Sequence, residues 1–431
     1  MQNEAANDHG LLLRLTSTVA VLLAATEMIA SAATPDKKFQ PRSPAITFSR
    51  DEQKVAVESD KGKWTFVRPL ISPWEYTAVG ATHWVAIGGD DDAEGTTERP
   101  WKTLGKAVAQ ATAGDVIYVR AGTYVEHLSF TTSGQKGKPI VLSCAPGALG
   151  KVKVTPSQAY VAKNPGEAVI TLNAVQHVWI NGLIIEGPLG RPEAPKMETF
   201  GANGITWSGG AGIGCRATNN VVYRNVHCGL KEMGHGGTEI LIQGNIIFEN
   251  GTESRDHGIY CGADDVTLSG NIIFNNAGYG IHSYSNPKRQ SITRNLCMGN
   301  AAGGIILAGR DCKVYHNTCT FNGVGIFYFR GDCLGNDVKN NISAFNRTDC
   351  GWDNGGGFLG SPERNADDYN CYFPGNPAER LEPGAHEVLA DPAFVDSKNG
   401  DYRLKRNSPC RDKGINVGLP VKGKVQNLGA F

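Results

Sequence analysis

One short pattern returns through the middle of the chain and limits what it can fold into. Between about Gly212 and Asn346, an Asn is followed after four residues by another: Asn245 and Asn250, Asn271 and Asn276, Asn295 and Asn300, Asn317 and Asn322, Asn341 and Asn346. The first members are separated by 26, 24, 22 and 24 positions, and Asn225 lies 20 before the series. A second marker, Gly-Ile, stands at Gly212-Ile213, Gly258-Ile259, Gly280-Ile281, Gly304-Ile305 and Gly325-Ile326. A period in this range is the mark of a solenoid. The leucine ladder of leucine-rich repeats is absent, and each period holds runs of three to five residues such as Asn245-Ile246-Ile247-Phe248, broken by Gly and Asn. Such runs are too short for helices and alternate as strands do. The object that satisfies them is a parallel β-helix whose turns lie about 4.8 Å apart. Asn at equal places in successive turns stacks along the axis and tolerates the left-handed corner conformation.

A solenoid grows lengthwise, so 431 residues need not divide into two ordinary domains. Gly makes up 54 of them without a three-residue period, which fits many tight corners rather than collagen. The 42 basic and 42 acidic residues cancel, so charge gives no case for nucleic acid as a partner. Arg14, the apolar run Val19 to Ala25 and then Ala30-Ser31-Ala32 predict a signal peptide over residues 1–33 and a secreted or periplasmic protein. No later run approaches eighteen apolar residues, so no transmembrane anchor is expected. Residues 34–83 read as an N-terminal extension, 84–412 as the β-helix with its C-terminal cover, and 413–431 as a tail. Within the second of these, Trp101 to Thr112 has helical spacing, and a helix there would cap strand edges left open at the first turn. Asp401 to Leu404 is expected to return as strands over the far end.

Eleven cysteines are many, and export would permit disulfides. Cys297 with Cys319 and Cys312 with Cys333 occupy similar places in neighbouring turns and are the two candidate pairs. Asn181, 44 residues before Asn225, suggests two intervening turns. Residues 188–204 and 231–238 read as excursions, the kind of loop that carries binding groups.

The strongest departure from the plain repeat is Arg255-Asp256-His257-Gly258-Ile259-Tyr260. If the isoleucines of the Gly-Ile pairs face the core, the next column faces out: Tyr260, His282, Ile306, Phe327. With Tyr284 and Phe329 this makes an external aromatic strip, suited either to a linear sugar chain or to cover by another loop. His257, with Glu253 and Asp256 close in sequence, can exchange protons, and an adjacent carboxylate could orient it. His235 and Glu239 could reach the same face from the previous turn. Asp264-Asp265 is the paired carboxylate inside the repeat, open to a catalytic role, to a hard cation such as calcium, or to an ordinary turn. Asp90-Asp91-Asp92 is a second acidic cluster.

The segment from Trp101 to Glu126, with Pro-x-x-Thr-Leu-x-x-Ala, Gly-Asp-x-Ile-x-Val and Gly122-Thr123-Tyr124, resembles the start of secreted pectate-lyase-like β-helix proteins. The resemblance continues through the repeats to Asp391-Pro392-Ala393-Phe394, Gly400-Asp401-Tyr402 and Ser408-Pro409-Cys410. It implies an all-β fold, a single-stranded right-handed parallel β-helix with a short N-terminal capping helix. It further implies a polysaccharide lyase that cleaves an acidic, uronate-containing polysaccharide by β-elimination. His257 would serve as base or acid, Arg255 or Arg330 would offset charge, and Tyr260, His282, Tyr284, Phe327 and Phe329 would contact sugar. Lys231, Lys288 and Arg289 are further basic groups, and Ca²⁺ is the expected cofactor at Asp264 and Asp265. A glycoside hydrolase using two carboxylates such as Glu239 and Asp256, and a non-catalytic glycan-binding protein, are the alternatives.

Overall fold

A computed structural model describes residues 43–69, 76–191, 201–210, 212–232, 236–329, 333–352, 365–374, 384–420 and 426–431. The signal-peptide segment, His235 and Arg330 lie outside the described residues. From Ser43 onward the chain is one compact unit. Its body is three parallel sheets of nine, eleven and ten strands, each joining every third strand of the chain apart from the first pair of the eleven-stranded sheet, Thr82–Val85 and Val116–Val119. One turn runs from Ile259–Cys261 in the nine-stranded sheet to Thr267–Ser269 in the eleven-stranded and Ile272–Phe274 in the ten-stranded sheet, and Tyr279–Ser283 begins the next. The parallel β-helix read from the repeat is therefore the fold observed.

The two Asn columns are continuous ladders inside two corners. In the first, Nδ2 of Asn220 donates to Oδ1 of Asn245 at 3.1 Å, Asn245 to Asn271 at 2.9 Å, Asn271 to Asn295 at 2.9 Å, and so on through Asn317, Asn341 and Asn370. The second runs from Asn225 through Asn250, Asn276, Asn300 and Asn322 to Asn346. Asn225 thus belongs to the second ladder, and the position before Asn245 is filled by Asn220. Asn181 pairs with Thr218 in the very next turn, because the excursion after residue 188 lengthens that single turn. Gly212-Ile213 likewise falls at a corner, and the Gly-Ile column is preceded instead by Gly229-Leu230, since Leu230 pairs with Ile259.

Alternation sends Ile185, Val222, Ile247, Ile273 and Cys297 of the ten-stranded sheet inward. Tyr223, Phe248 and Phe274 point the other way and stack with centroids 5.1 and 4.8 Å apart. Water would meet that stripe, but an antiparallel sheet of Ala45–Phe48, Lys54–Ser59 and Gly62–Val67 covers it, with Phe66 5.0 Å from Phe274. The Phe394–Asp396 and Asp401–Leu404 strands join this same cluster, with Gly400 against Phe66, rather than closing the far end. At the first turn the helix forms over Leu104–Gln110, capped by Thr103, and buries Leu104, Ala107 and Val108.

The expected disulfides are not formed: Cys297, Cys319, Cys312 and Cys333 are buried thiols. Cys297 and Cys319 do face one another in register, but both fill core positions that Ile273 fills a turn earlier. Cys312 stands opposite Asn336, whose Oδ1 accepts its backbone N–H at 2.9 Å, so Cys333 is not its neighbour in register.

Candidate functional site

The outward face of the nine-stranded sheet carries the column predicted around Tyr260. Register pairs Lys231 with Tyr260, Tyr260 with His282, His282 with Ile306 and Ile306 with Phe327. The residue before each core isoleucine must be Gly, since a Cβ on Gly258 would lie 2.4 Å from Cγ2 of Ile273. That close approach fixes the strand's angle to the core and hence the direction of Tyr260 and His282. Toward the first turns the same column continues through Thr206, Thr171 and Ser129. These three and Lys231 floor a groove of about 430 Å³ that is also lined by His127, Glu167, Asn173, Asn203 and Ser208. Sequence reading missed the polar half because these strands lie before the Asn-x4-Asn repeat and are separated by excursions.

One end of the groove is built by stacking. The His127 ring lies on Tyr160 at 4.6 Å, its Nδ1 is 2.7 Å from the Ala168 carbonyl, and its Nε2 is 3.5 Å from Glu167, which also accepts from the Tyr160 hydroxyl. At the other end Lys231 holds its ammonium over the Tyr260 ring at 5.6 Å, a cation–π contact. Beyond it the rings close up: His282 is 5.0 Å from both Tyr260 and Tyr284, and Phe329 is 5.9 Å from Tyr284. Burial keeps Tyr260 protonated by raising its pKa, and pushes His282 down to about 4, so both are neutral at neutral pH. Nδ1 of His282 is buried without a hydrogen-bond partner.

His257 belongs to this face but is used structurally. A side-chain relay runs from turn to turn, starting at Asn203 of the groove: Oδ1 of Asn203 accepts the Cys228 N–H at 2.9 Å, Sγ of Cys228 accepts the His257 N–H at 3.3 Å, and Nδ1 of His257 accepts the Tyr279 N–H at 3.0 Å. The Nδ1 lone pair is thereby engaged, which leaves the ring proton on Nε2. Burial, and then the neighbouring His282 ring 4.1 Å away, hold His257 well below the usual imidazole range. The expected orienting carboxylate is elsewhere. Asp256 meets Nδ1 of His227 at 2.8 Å and accepts backbone N–H bonds from Thr252 and Glu253 at 2.8 and 3.0 Å. Burial would raise its pKa, but these bonds outweigh it and hold the carboxyl below its ordinary value.

The remaining candidates are dispersed. Arg255 is exposed and pairs with Glu253 at 3.2 Å. Glu239 sits at the corner leading into the eleven-stranded sheet, 3.6 Å from Lys136, whereas Asp256 sits at the corner leading into the nine-stranded sheet. Asp265 is clasped by Arg289 through two bonds of 2.7 and 2.6 Å, and Oδ1 of Asp264 accepts the Lys288 N–H at 2.7 Å. A guanidinium already occupies the carboxylate edge a calcium ion would need, so this pair does not fit a calcium site. Among the described residues no group of three or more His, Cys, Asp or Glu could hold a metal. Asp91 of the other acidic cluster caps the first helix through Thr103. No helix among the described residues is long and apolar enough to cross a membrane.

Comparison with known proteins agrees with this architecture. The sequence matches the family described as "Right handed beta helix region" over residues 162–321 and 203–358. It is 39% identical over 88 residues to a pectate lyase, PEL9, of Emericella nidulans, covering 20% of this chain and 21% of that protein. It is also 46% identical over 57 residues to the protein YwoF of Bacillus subtilis, covering 13% of this chain and 12% of that protein. The chain therefore matches only about a fifth or less of these relatives' length. The crystal structure of the pectate lyase Pel9A superposes with a TM-score of 0.51 at 15% identity, covering 82% of this chain and 96% of that one, a likeness of fold. Three parallel sheets in register, Asn ladders in the corners and the family match over residues 162–358 make the fold a right-handed parallel β-helix, similar over part of its sequence to a pectate lyase.

Proposed function

We propose that the protein is a carbohydrate-active enzyme that binds an acidic polysaccharide along the outward face of the nine-stranded sheet and cleaves it by β-elimination. The observation that carries this reading is Lys231, an outward cation at the junction of a polar groove and an aromatic strip, in register with Tyr260. Its ammonium offsets the carboxylate of a bound uronate, which acidifies the adjacent carbon-bound proton. The neutral imidazole of His282, in register with Tyr260, takes that proton as the C=C bond forms, and Tyr260, kept protonated by burial, gives its own to the oxygen of the breaking C–O bond. His282, Tyr284, Phe327 and Phe329 offer faces to sugar rings. Similarity to a pectate lyase over part of the chain supports the same class.

Hydrolysis by two carboxylates finds less support, since Glu167 is the single carboxylate lining the groove among the described residues. Export follows in this reading from the apolar run Val19 to Ala25. The test is to follow absorbance near 235 nm and new reducing ends together on uronate polysaccharides, with calcium and with chelator. Elimination raises both signals. Lys231→Met is expected to lower kcat/KM about a hundredfold or more while the fold persists. Reducing ends without absorbance, or full activity in Lys231→Met, would sink the proposal.

A further inference from the structure

The chemistry of the groove changes along its length, and it does so one turn at a time. A glycan lying along the solenoid axis meets one strand about every 4.8 Å, close to the length of one saccharide unit. The outward residue of each strand is therefore a reader of roughly one unit. Three successive readers, Ser129, Thr171 and Thr206, are hydroxyls. The fourth is Lys231, and the fifth and sixth are the neutral Tyr260 and His282. Of the next two, Ile306 is buried and reads nothing, and Phe327 is half-buried and apolar. Glu167 adds a negative charge to the hydroxyl half of the groove.

We infer that the glycan recognised here carries isolated uronates separated by neutral sugars, rather than an uninterrupted run of them. This rests on the reading of the groove as the cleavage site. An uninterrupted uronate chain brings a carboxylate to nearly every reader. One of these is matched by Lys231, but its neighbours on one side approach the Glu167 carboxylate, and those on the other lose water against Phe327 with no cation in return. A neutral unit in those places has only hydroxyls and ring faces to satisfy. Ser, Thr and Asn side chains serve the first, and aromatic rings serve the second. Selection against the wrong polymer thus comes from a repulsive and a desolvating contact as much as from the single attractive one.

The test compares polygalacturonate and alginate, which are uninterrupted uronates, with the rhamnogalacturonan backbone and hyaluronate, in which uronate alternates with a neutral sugar. Elimination rates at 235 nm and affinities by calorimetry are both recorded on unaltered protein, with Lys231→Met as the control that lacks the cation. The expected result is a kcat/KM at least about tenfold higher on one alternating polymer than on either uninterrupted one. Glu167→Gln and Phe327→Lys should each narrow that gap several-fold by improving the uninterrupted substrates. Equal or better cleavage of polygalacturonate or alginate would overturn the inference while leaving the lyase reading intact. If nothing is cleaved, the lyase reading fails, and the affinities decide the charge spacing alone: tighter binding of an alternating polymer supports it, and equal, reversed or undetectable binding overturns it.

Discussion

His282 shows how one side chain joins the pH response of the molecule to its surface. Its imidazole is pushed down to about 4 by burial among Tyr260, Tyr284 and His257. In the unfolded chain the same group titrates near 6.5. Between those values the unfolded state takes up a proton that the folded state refuses, so the stabilisation is full above about pH 6.5 and is lost as the pH falls toward 4. From this group alone, unfolding free energy at pH 5 should be about 2 kcal/mol below its value at pH 7. Urea titrations at the two pH values should show a smaller drop in His282→Phe. An unchanged drop would mean that the acid response comes from other groups, such as His257 and His316, which are shifted the same way.

At the scale of the element, the corner ladder does what side chains in an ordinary sheet do not, because each amide serves two turns at once. Asn271 donates to the Ile242 carbonyl at 3.0 Å and to Asn295 at 2.9 Å, and its Oδ1 accepts from both the backbone and side chain of Asn245. Asn271→Ala leaves those buried groups without partners and should cost about 2–4 kcal/mol, read from the urea midpoint. Asn271→Asp should be at least as costly, since its carboxylate cannot donate. The sequence made this element legible because Asn is scarce elsewhere at such spacing, and the outward column from Tyr260 to Phe327 followed from alternation alone. Lys231, Thr206 and Thr171 were harder to align. Their turns are stretched by excursions that change the period without changing the register. His257 was read as chemical because a buried backbone N–H one turn away, that of Tyr279, has no trace in the sequence near it. The thiols misled for a similar reason: register placed Cys297 beside Cys319, but the sequence did not show that both are needed to fill the core.

For the molecule as a whole, the solenoid has an inside and an outside core, and the second is built from distant parts of the chain. Phe66 from the first antiparallel sheet, Phe274 from the middle and Tyr402 from the closing hairpin belong to one apolar cluster over the ten-stranded sheet. Phe66→Ala should cost about 3–5 kcal/mol. Hydrogen exchange is the discriminating measurement. If the cover is a separate layer, amides of residues 54–67 should lose protection first, while the strands at Ile246–Phe248 and Ile272–Phe274 keep theirs. Loss of protection everywhere at once would show that cover and solenoid unfold as one unit.

The ladder also sets how this protein ages. Two of its rungs, Asn250 and Asn322, are followed by Gly, the neighbour that lets a side-chain amide cyclise onto the chain and end as a carboxylate. In the folded state both amides are held by neighbouring rungs and buried. Each excursion to the unfolded state releases them, and a rung that returns as Asp sets oxygen against oxygen where a donor stood. Time spent unfolded is therefore written into the covalent structure. After repeated heating, the fraction that refolds is governed by accumulated exposure of two side chains rather than by the melting temperature.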